Sequence, residues 1–192
     1  MGTIVNTYLQ INPIQKLTLR TQFGANAHFR RTDKFTPEFY IDALEQSTLS
    51  NVSREMQEWL DWNWTNTATY ITTFAEKHNI NVMGGFTAER FAEFQSKASR
   101  DDVPNNMDQM QEVNAGTQNQ KSEGKTAYST LVSYLGRVMY NYDNRYYLTA
   151  SIRADGSSRF PKGNKYAIFP SVSASWRIIS ESFMQDRRFS VT

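Results

Sequence analysis

Hydrophobic and polar residues alternate along most of this chain. In Leu17–Phe29 the odd positions read Leu17, Leu19, Thr21, Phe23, Ala25, Ala27 and Phe29, and the even ones Thr18, Arg20, Gln22, Gly24, Asn26 and His28. A period of two places successive side chains on opposite sides of an extended strand, so this stretch predicts a strand with one apolar and one polar face. Ile168, Pro170, Val172, Ala174, Trp176 and Ile178 alternate in the same way with Phe169, Ser171, Ser173, Ser175 and Arg177. Tyr146, Leu148, Ala150, Ile152 and Ala154 repeat the pattern, as do Val132, Tyr134, Gly136, Val138, Tyr140 and Tyr142. Weaker versions cover 4–11, 58–75 and 79–94, and Leu60, Trp62, Trp64, Ala68, Tyr70 and Phe74 share one face of the second of these. The sum is about seven strands. The stretches around 36–58 and 104–125 lack the pattern, and Glu38–Leu44 is read as a short surface helix.

The connections alternate in length. Asn12–Lys16, Glu76–His78 and Asp143–Arg145 are tight turns, whereas long links near 31–57 and 95–126 and a medium one over Gly156–Lys165 fall between them. In an up-and-down meander this places every tight turn at one end of the sheet and every long loop at the other, as in outer-membrane barrels. A strand of thirteen residues, such as Leu17–Phe29, spans ~43 Å, well beyond the ~5–6 residues usual in soluble sheets. Tyr140, Tyr142, Tyr146 and Tyr147 cluster beside the turn Asp143–Arg145, where an interfacial girdle of aromatics belongs. Arg20, His28, Arg137, Arg153 and Arg177 on the polar face suit a wet interior. The expected fold is all-β: an antiparallel meander forming part of a larger transmembrane barrel, because about seven strands leave edges that lipid does not tolerate. Phe189–Thr192 reads as the opening of a further strand. The competing reading is a soluble β-sandwich that binds glycan through exposed aromatics; it explains the alternation but not the strand lengths or the one-sided loops.

Composition narrows the classes further. Among 192 residues, aromatics make up 14%, with 12 Phe and 10 Tyr, while the net charge is only +2, too small to argue for nucleic acid. Mean hydropathy is −0.62, and no run approaches the ~20 apolar residues of a spanning helix. With no Cys there is neither a disulfide framework nor thiolate chemistry. The N-terminal residues carry no signal-peptide pattern.

The residues then resemble a known family. Ser133-Tyr134-Leu135-Gly136-Arg137-Val138, followed by Tyr146–Phe160 and by Phe169–Ile178 with Glu181, Phe183 and Met184, is similar to the SusC/RagA family of TonB-linked outer-membrane transporters of Bacteroidetes. Trp59–Phe74, His78-Asn79 and Gly84-Gly85-Phe86 resemble an earlier hairpin of the same barrel. The resemblance implies a 22-stranded barrel with a plug in its lumen and import of oligosaccharides or peptides, energised through TonB. It also implies a SusD-like lipoprotein over the extracellular face and a Gram-negative outer membrane as the location. The family's plug, TonB box and signal peptide have no counterpart in these residues, so residues 1–192 are read as partial barrel.

Candidate contacts follow from the faces. Trp59 lies opposite Trp62 and Trp64 and is the better ligand candidate, the other two being expected at lipid or its interface. Asp155-Gly156-Ser157-Ser158-Arg159-Phe160 reads either as a ligand contact at the rim or as a structural turn. In the turn reading Asp and Ser cap backbone N–H groups, Gly156 supplies positive φ, and Arg159 pairs with an acid. Arg20, Asn26, Arg137, Arg153 and Arg177 are expected in the lumen against plug or substrate. His28 and His78 are too few for a metal site, Asp101, Asp102 and Asp108 read as solvated loop residues, and no catalytic constellation stands out. No cofactor, metal or enzymatic activity is expected.

Overall fold

The computed structural model of the chain describes residues 1–104 and 111–185, so Asp108 and Phe189–Thr192 lie outside the described residues. The elements in chain order are β1 (Gly2–Ile14), β2 (Leu17–Thr36), β3 (Phe39–Tyr40), β4 (Gln46–Ser47), β5 (Asn51–Phe74), β6 (His78–Asp101), β7 (Gln118–Tyr142), β8 (Tyr146–Ser157), β9 (Tyr166–Trp176) and a one-turn helix α1 (Ser182–Gln185). Seven strands form one antiparallel sheet in the order β1-β2-β5-β6-β7-β8-β9, which is the expected meander, and β3 and β4 form a separate two-stranded ribbon. The chain divides into two compact units, one of Met1–Val5, Ala25–Asp61 and Phe91–Tyr128, the other of Asn6–Gly24, Trp62–Arg90 and Ser129–Thr192.

Regular strand continues into stretches where no alternation is legible. β2 runs to Thr36 and β5 restarts at Asn51, while β6 runs to Asp101 and β7 restarts at Gln118. β5 and β6 have 24 residues each, ~80 Å of extended chain at ~3.3 Å per residue. An alternating pattern needs two different environments on the two faces. Where the two faces do not differ in environment, backbone pairing persists and the sequence signal vanishes.

Glu38–Leu44 is not a helix. Phe39 and Tyr40 pair with Ser47 and Gln46. The Asp42 carboxylate accepts the N–H groups of Leu44 at 2.7 Å and Glu45 at 2.8 Å. A side chain that captures nearby backbone donors competes with the helix ladder, and a segment this short is marginal as helix anyway. Asp101 and Asp102 are likewise pinned rather than merely solvated. Asp101 accepts from Asn51 at 2.6 Å and Asn119 at 2.8 Å, and Asp102 from Thr117 at 2.5 Å and Gln118 at 3.0 Å.

In the second unit β7 and β8 pair from Tyr142↔Tyr146 up to Leu131↔Ser157, and β8 and β9 from Tyr146↔Trp176 to Gly156↔Tyr166. The turn between β7 and β8 holds Asp143 and Asn144 at φ 50° and 53°, the paired left-handed conformation of a type I′ hairpin that Asp and Asn tolerate well. Gly156, by contrast, is not among the positive-φ residues. It is needed because an added Cβ would sit 2.6 Å from the Tyr166 ring, which lies across it. Gly136, two pairs from Tyr134↔Ala154, leaves a Cβ 3.5 Å from Ile152, an ordinary contact.

These two glycines give a paired prediction. Gly156→Ala forces the Tyr166 ring to shift and costs about 1–3 kcal/mol, whereas Gly136→Ala changes stability by no more than about 0.5 kcal/mol. Thermal denaturation in detergent, followed by circular dichroism, checks both; equal effects at the two positions would refute the ring-over-glycine account.

Candidate functional site

The second unit presents two chemically distinct faces. On one, β2 contributes Leu17, Leu19, Thr21 and Phe23, and β9 contributes Tyr166, Ile168, Pro170, Val172, Ala174 and Trp176. Between them lie the even-numbered residues of Trp62–Phe74, Ile80–Ala88, Val132–Tyr142 and Tyr146–Gly156, with no Asp, Glu, Lys or Arg among them. This face is uncovered: Val172 is 73% exposed, Ile168 63% and Tyr134 50%. Across the described residues only Val52, Ala92 and Val103 form a buried hydrophobic core, and no large side chain is fully buried. A soluble sheet hides its apolar face against another layer; an exposed apolar face this extensive is an interaction surface.

The band has aromatic borders. At the tight-turn end Phe74 stacks on His78 at 4.6 Å, His78 meets Tyr142 at 4.9 Å and bonds the Tyr140 hydroxyl at 2.8 Å, and the row continues through Tyr146, Trp176 and Phe183. Tyr147 faces the other way and donates its hydroxyl to the Asn144 carbonyl. Farther along β5, Trp62 stacks on Phe23 at 6.3 Å, and Trp64 meets Phe86 edge-on while donating to the Thr21 hydroxyl at 2.9 Å. Trp62 and Phe74 are twelve positions apart, ~40 Å along the strand and ~28 Å along the normal at the ~45° tilt of membrane strands, the thickness of a hydrocarbon core.

The opposite face carries the charge. Arg20 lies 4.4 Å over the Tyr8 ring. Arg153 donates to Asp155 at 2.7 Å and to the Ser133 hydroxyl at 3.3 Å, following the Ser133↔Asp155 register. Arg137 is half-buried and reaches only the Met83 sulfur at 3.7 Å; its Nε, with Asn81 Oδ1 and Asn141 Oδ1, is buried without a partner. Trp59 belongs to the first unit, half-buried, with its ring 5.3 Å from that of His28. The structure thus joins Arg153 to Asp155 but leaves Arg159 and Arg177 elsewhere. Arg159 lies beyond β8, its N–H donating to Ser157 Oγ at 3.2 Å, and no acid is within ion-pair reach among the described residues. Arg177 follows the end of β9, beside Arg145. Ser158 closes the β7–β8 ladder: its hydroxyl accepts the Thr130 N–H at 2.9 Å and its own N–H donates to the Thr130 carbonyl at 3.0 Å.

Two residues carry more than sequence reasoning assigned them. His28, set aside as a lone histidine, pairs with Trp59, and only strand register could reveal that. Glu181, beyond the last strand, accepts from the Tyr146 hydroxyl at 2.8 Å, from Trp176 Nε1 at 3.1 Å and from Arg145 at 3.4 Å, and so ties the chain after β9 to the aromatic row.

No family model matches the sequence. Relatives and solved structures do. TonB-dependent receptor P39 of Formosa agariphila is 28% identical over 98% of this chain, and SusC of Bacteroides thetaiotaomicron is 48% identical over 69 residues, 34% of it. The RagAB peptide importer in its closed-closed state superposes on 97% of the chain with TM-score 0.87 and 27% identity. The RagAB peptide transporter gives TM-score 0.84 and 26% identity over 95%. Over nearly its whole length the chain is similar to SusC/RagA-type TonB-dependent barrels. It spans 18% of the length of the Formosa receptor and 20% of the RagAB chain. SusC/RagA-type relatives are receptors and transporters rather than enzymes. In β7–β9 the motif residues serve the architecture: Gly156 lies under Tyr166, Ser158 closes the ladder, and Glu181 lies under the aromatic row.

The Glu181 anchor predicts a pH response. Its carboxyl is held below the ordinary 4.5, first by the Tyr146 hydroxyl and then by Trp176 and Arg145. A carboxyl with a lowered folded-state pKa contributes stability that is present above the ordinary value and lost as pH falls through the folded one. Acidification below about pH 4.5 therefore releases the Trp176 indole, seen as a change in tryptophan emission, and Glu181→Gln removes that transition. An unchanged acid transition in the variant would rule Glu181 out as its origin.

Proposed function

We propose that this chain forms wall and lumen lining of an outer-membrane transporter that imports oligosaccharides or peptides. In this reading TonB energises the transporter through other parts of the protein, and a SusD-like lipoprotein covers the extracellular face. The long connections after β2 and β6 are extracellular and the tight turns periplasmic. The observation that carries the reading is the charge-free, uncovered face about one hydrocarbon core tall, bordered by aromatics, on a sheet in which no large side chain is fully buried among the described residues. A glycan-binding sandwich requires a second layer over that face, and the likeness to RagAB supports the barrel instead.

On the polar face, Trp59 with His28 offers a flat aromatic surface to cargo entering from outside. Arg137, Arg153 and Asp155 line the passage, Arg137 with unmet hydrogen-bonding capacity toward whatever occupies the lumen. Arg159 stands at the rim and Arg177 at the periplasmic end.

Fractionation tests the location. In a blot of source-cell fractions the protein is expected in the outer membrane, as a band that shifts on boiling because a closed barrel resists detergent. A soluble band without a shift would end the transporter reading. Trp59→Ala is expected to weaken binding of a stacking cargo about tenfold, the ~1.4 kcal/mol of one good aromatic contact. Titrations of tryptophan emission with neutral and charged oligosaccharides and with peptides read this out, and unaltered affinity for every cargo that binds would assign Trp59 a structural place only.

A further inference from the structure

The first unit contains a recess of about 260 Å³ whose lining includes Lys34 from β2, Asn51 and Ser53 from β5, Lys97 from β6, and Lys121 and Glu123 from β7. Strand alternation puts Lys34 on the side of His28 and Ser53 on the side of Trp59, so the recess and the aromatic pair share one face.

None of the three lysines makes an ion pair among the described residues, although the Asp101 carboxylate acts on Lys121 from nearby. Of the other charges nearby, Arg54 bonds Asp33 at 2.6 Å and Glu112 at 3.0 Å and Arg31 bonds Asp33 at 2.7 Å, whereas Asp101 accepts from the neutral amides of Asn51 and Asn119 and keeps its charge, which acts on Lys121. Among the described residues no carboxylate lies within ion-pair distance of Lys34, Lys97 or Lys121, and Glu123 alone brings negative charge to the lining. Three ammonium groups against the Glu123 carboxylate in the lining, with Asp101 nearby, leave the recess net positive. Such a lined hollow concentrates field and attracts anions, and each ammonium supplies three donors for carboxylate or sulfate oxygens.

We infer that this recess binds an anionic group, carboxylate or sulfate, borne by an oligosaccharide cargo. The inference rests on the transporter reading and names its substrate class. Size and neighbourhood select a carbohydrate chain. Pockets that enclose a whole drug-sized ligand run to ~300–1,000 Å³, so this one takes a single charged residue of a longer ligand. Trp59 lies six positions from Ser53 on the same strand face, ~20 Å along β5, where a further sugar ring of the same extended chain can stack on the indole. The charged residue thus seats among the lysines while a neutral one covers the ring.

The test uses the protein purified from outer membranes in detergent and calorimetric titration with four probes: an oligogalacturonate, a sulfated dextran oligosaccharide, an uncharged dextran oligosaccharide of equal length and a polyglutamate peptide. One or both charged oligosaccharides are expected to bind at least about tenfold tighter than dextran and to weaken with added salt; which of the two binds identifies carboxylate or sulfate as the group recognised. Lys34→Gln/Lys97→Gln/Lys121→Gln together lower that affinity at least about tenfold. Glu123→Gln, which removes the carboxylate from the lining, raises it severalfold, a gain that a disturbed fold does not give. Dextran binding as tightly as the charged probes, binding by polyglutamate alone, or affinity indifferent to both variants would overturn the inference. The boiling shift, measured on the same samples, reports separately on the barrel reading.

Discussion

The hydrocarbon interior of a membrane offers no partner to a backbone N–H or C=O, and each unmet group there costs several kcal/mol. On the barrel reading proposed above, the architecture of this chain follows from that constraint. Strands must pair edge to edge over their whole crossing, so the connections that serve best are short hairpins, and Asp143-Asn144 supplies one with both residues in the left-handed region. Pairing leaves only side chains to meet lipid, and one residue in two must then be apolar. From Trp62 to Phe74 the even-numbered positions follow this rule without a single charge.

The same constraint explains why the stabilising detail collects at the borders. Inside the band one aliphatic side chain serves about as well as another, because lipid packs against any of them. At the interface the geometry is specific: indoles and phenols need an apolar body and a polar tip. Glu181 provides the acceptor for two such tips, Tyr146 and Trp176, while Arg145 bridges it to Asp143 in the adjoining turn. The end of β9 is thereby fastened to the start of β8 without any buried core. At the far end of the same strands Gly156 lets the Tyr166 ring lie flat across the sheet, so an absent side chain on one strand is filled by an aromatic on the next.

How much of this was legible in the sequence depended on where the two faces differ. Within the band, Leu17–Phe29 or Tyr146–Ala154 announce their strand, their orientation and their neighbours' length. Beyond it the ends of β2, β5, β6 and β7 carry no apolar–polar alternation although they are fully extended. The ribbon of β3 and β4 was misread as helix because its deciding interaction is one carboxylate, Asp42, on two backbone N–H groups. Site residues divide along the same line. Arg153 beside Asp155 follows from alternation and a two-residue spacing, whereas Trp59 beside His28, and Lys34 near Lys97 and Lys121, are separated by tens of residues and meet only through register. A single sequence fixes the faces of such strands much better than their relative slide.

That difference also places the chemistry. Residues that face lipid are held to one property, and residues over the tight turns to a few interfacial contacts, so variation that changes cargo has to fall on the wet face and on the long strand ends. There the backbone ladder is already satisfied, and a side chain can change from lysine to serine or glutamate at little cost to the fold. The unpaired ammonium groups of the first unit are affordable for this reason: solvent and salt screen their repulsion, and no layer of packing has to accommodate them. The scaffold is specified by what lipid forbids, and selectivity is written in the part of the strand that lipid does not reach.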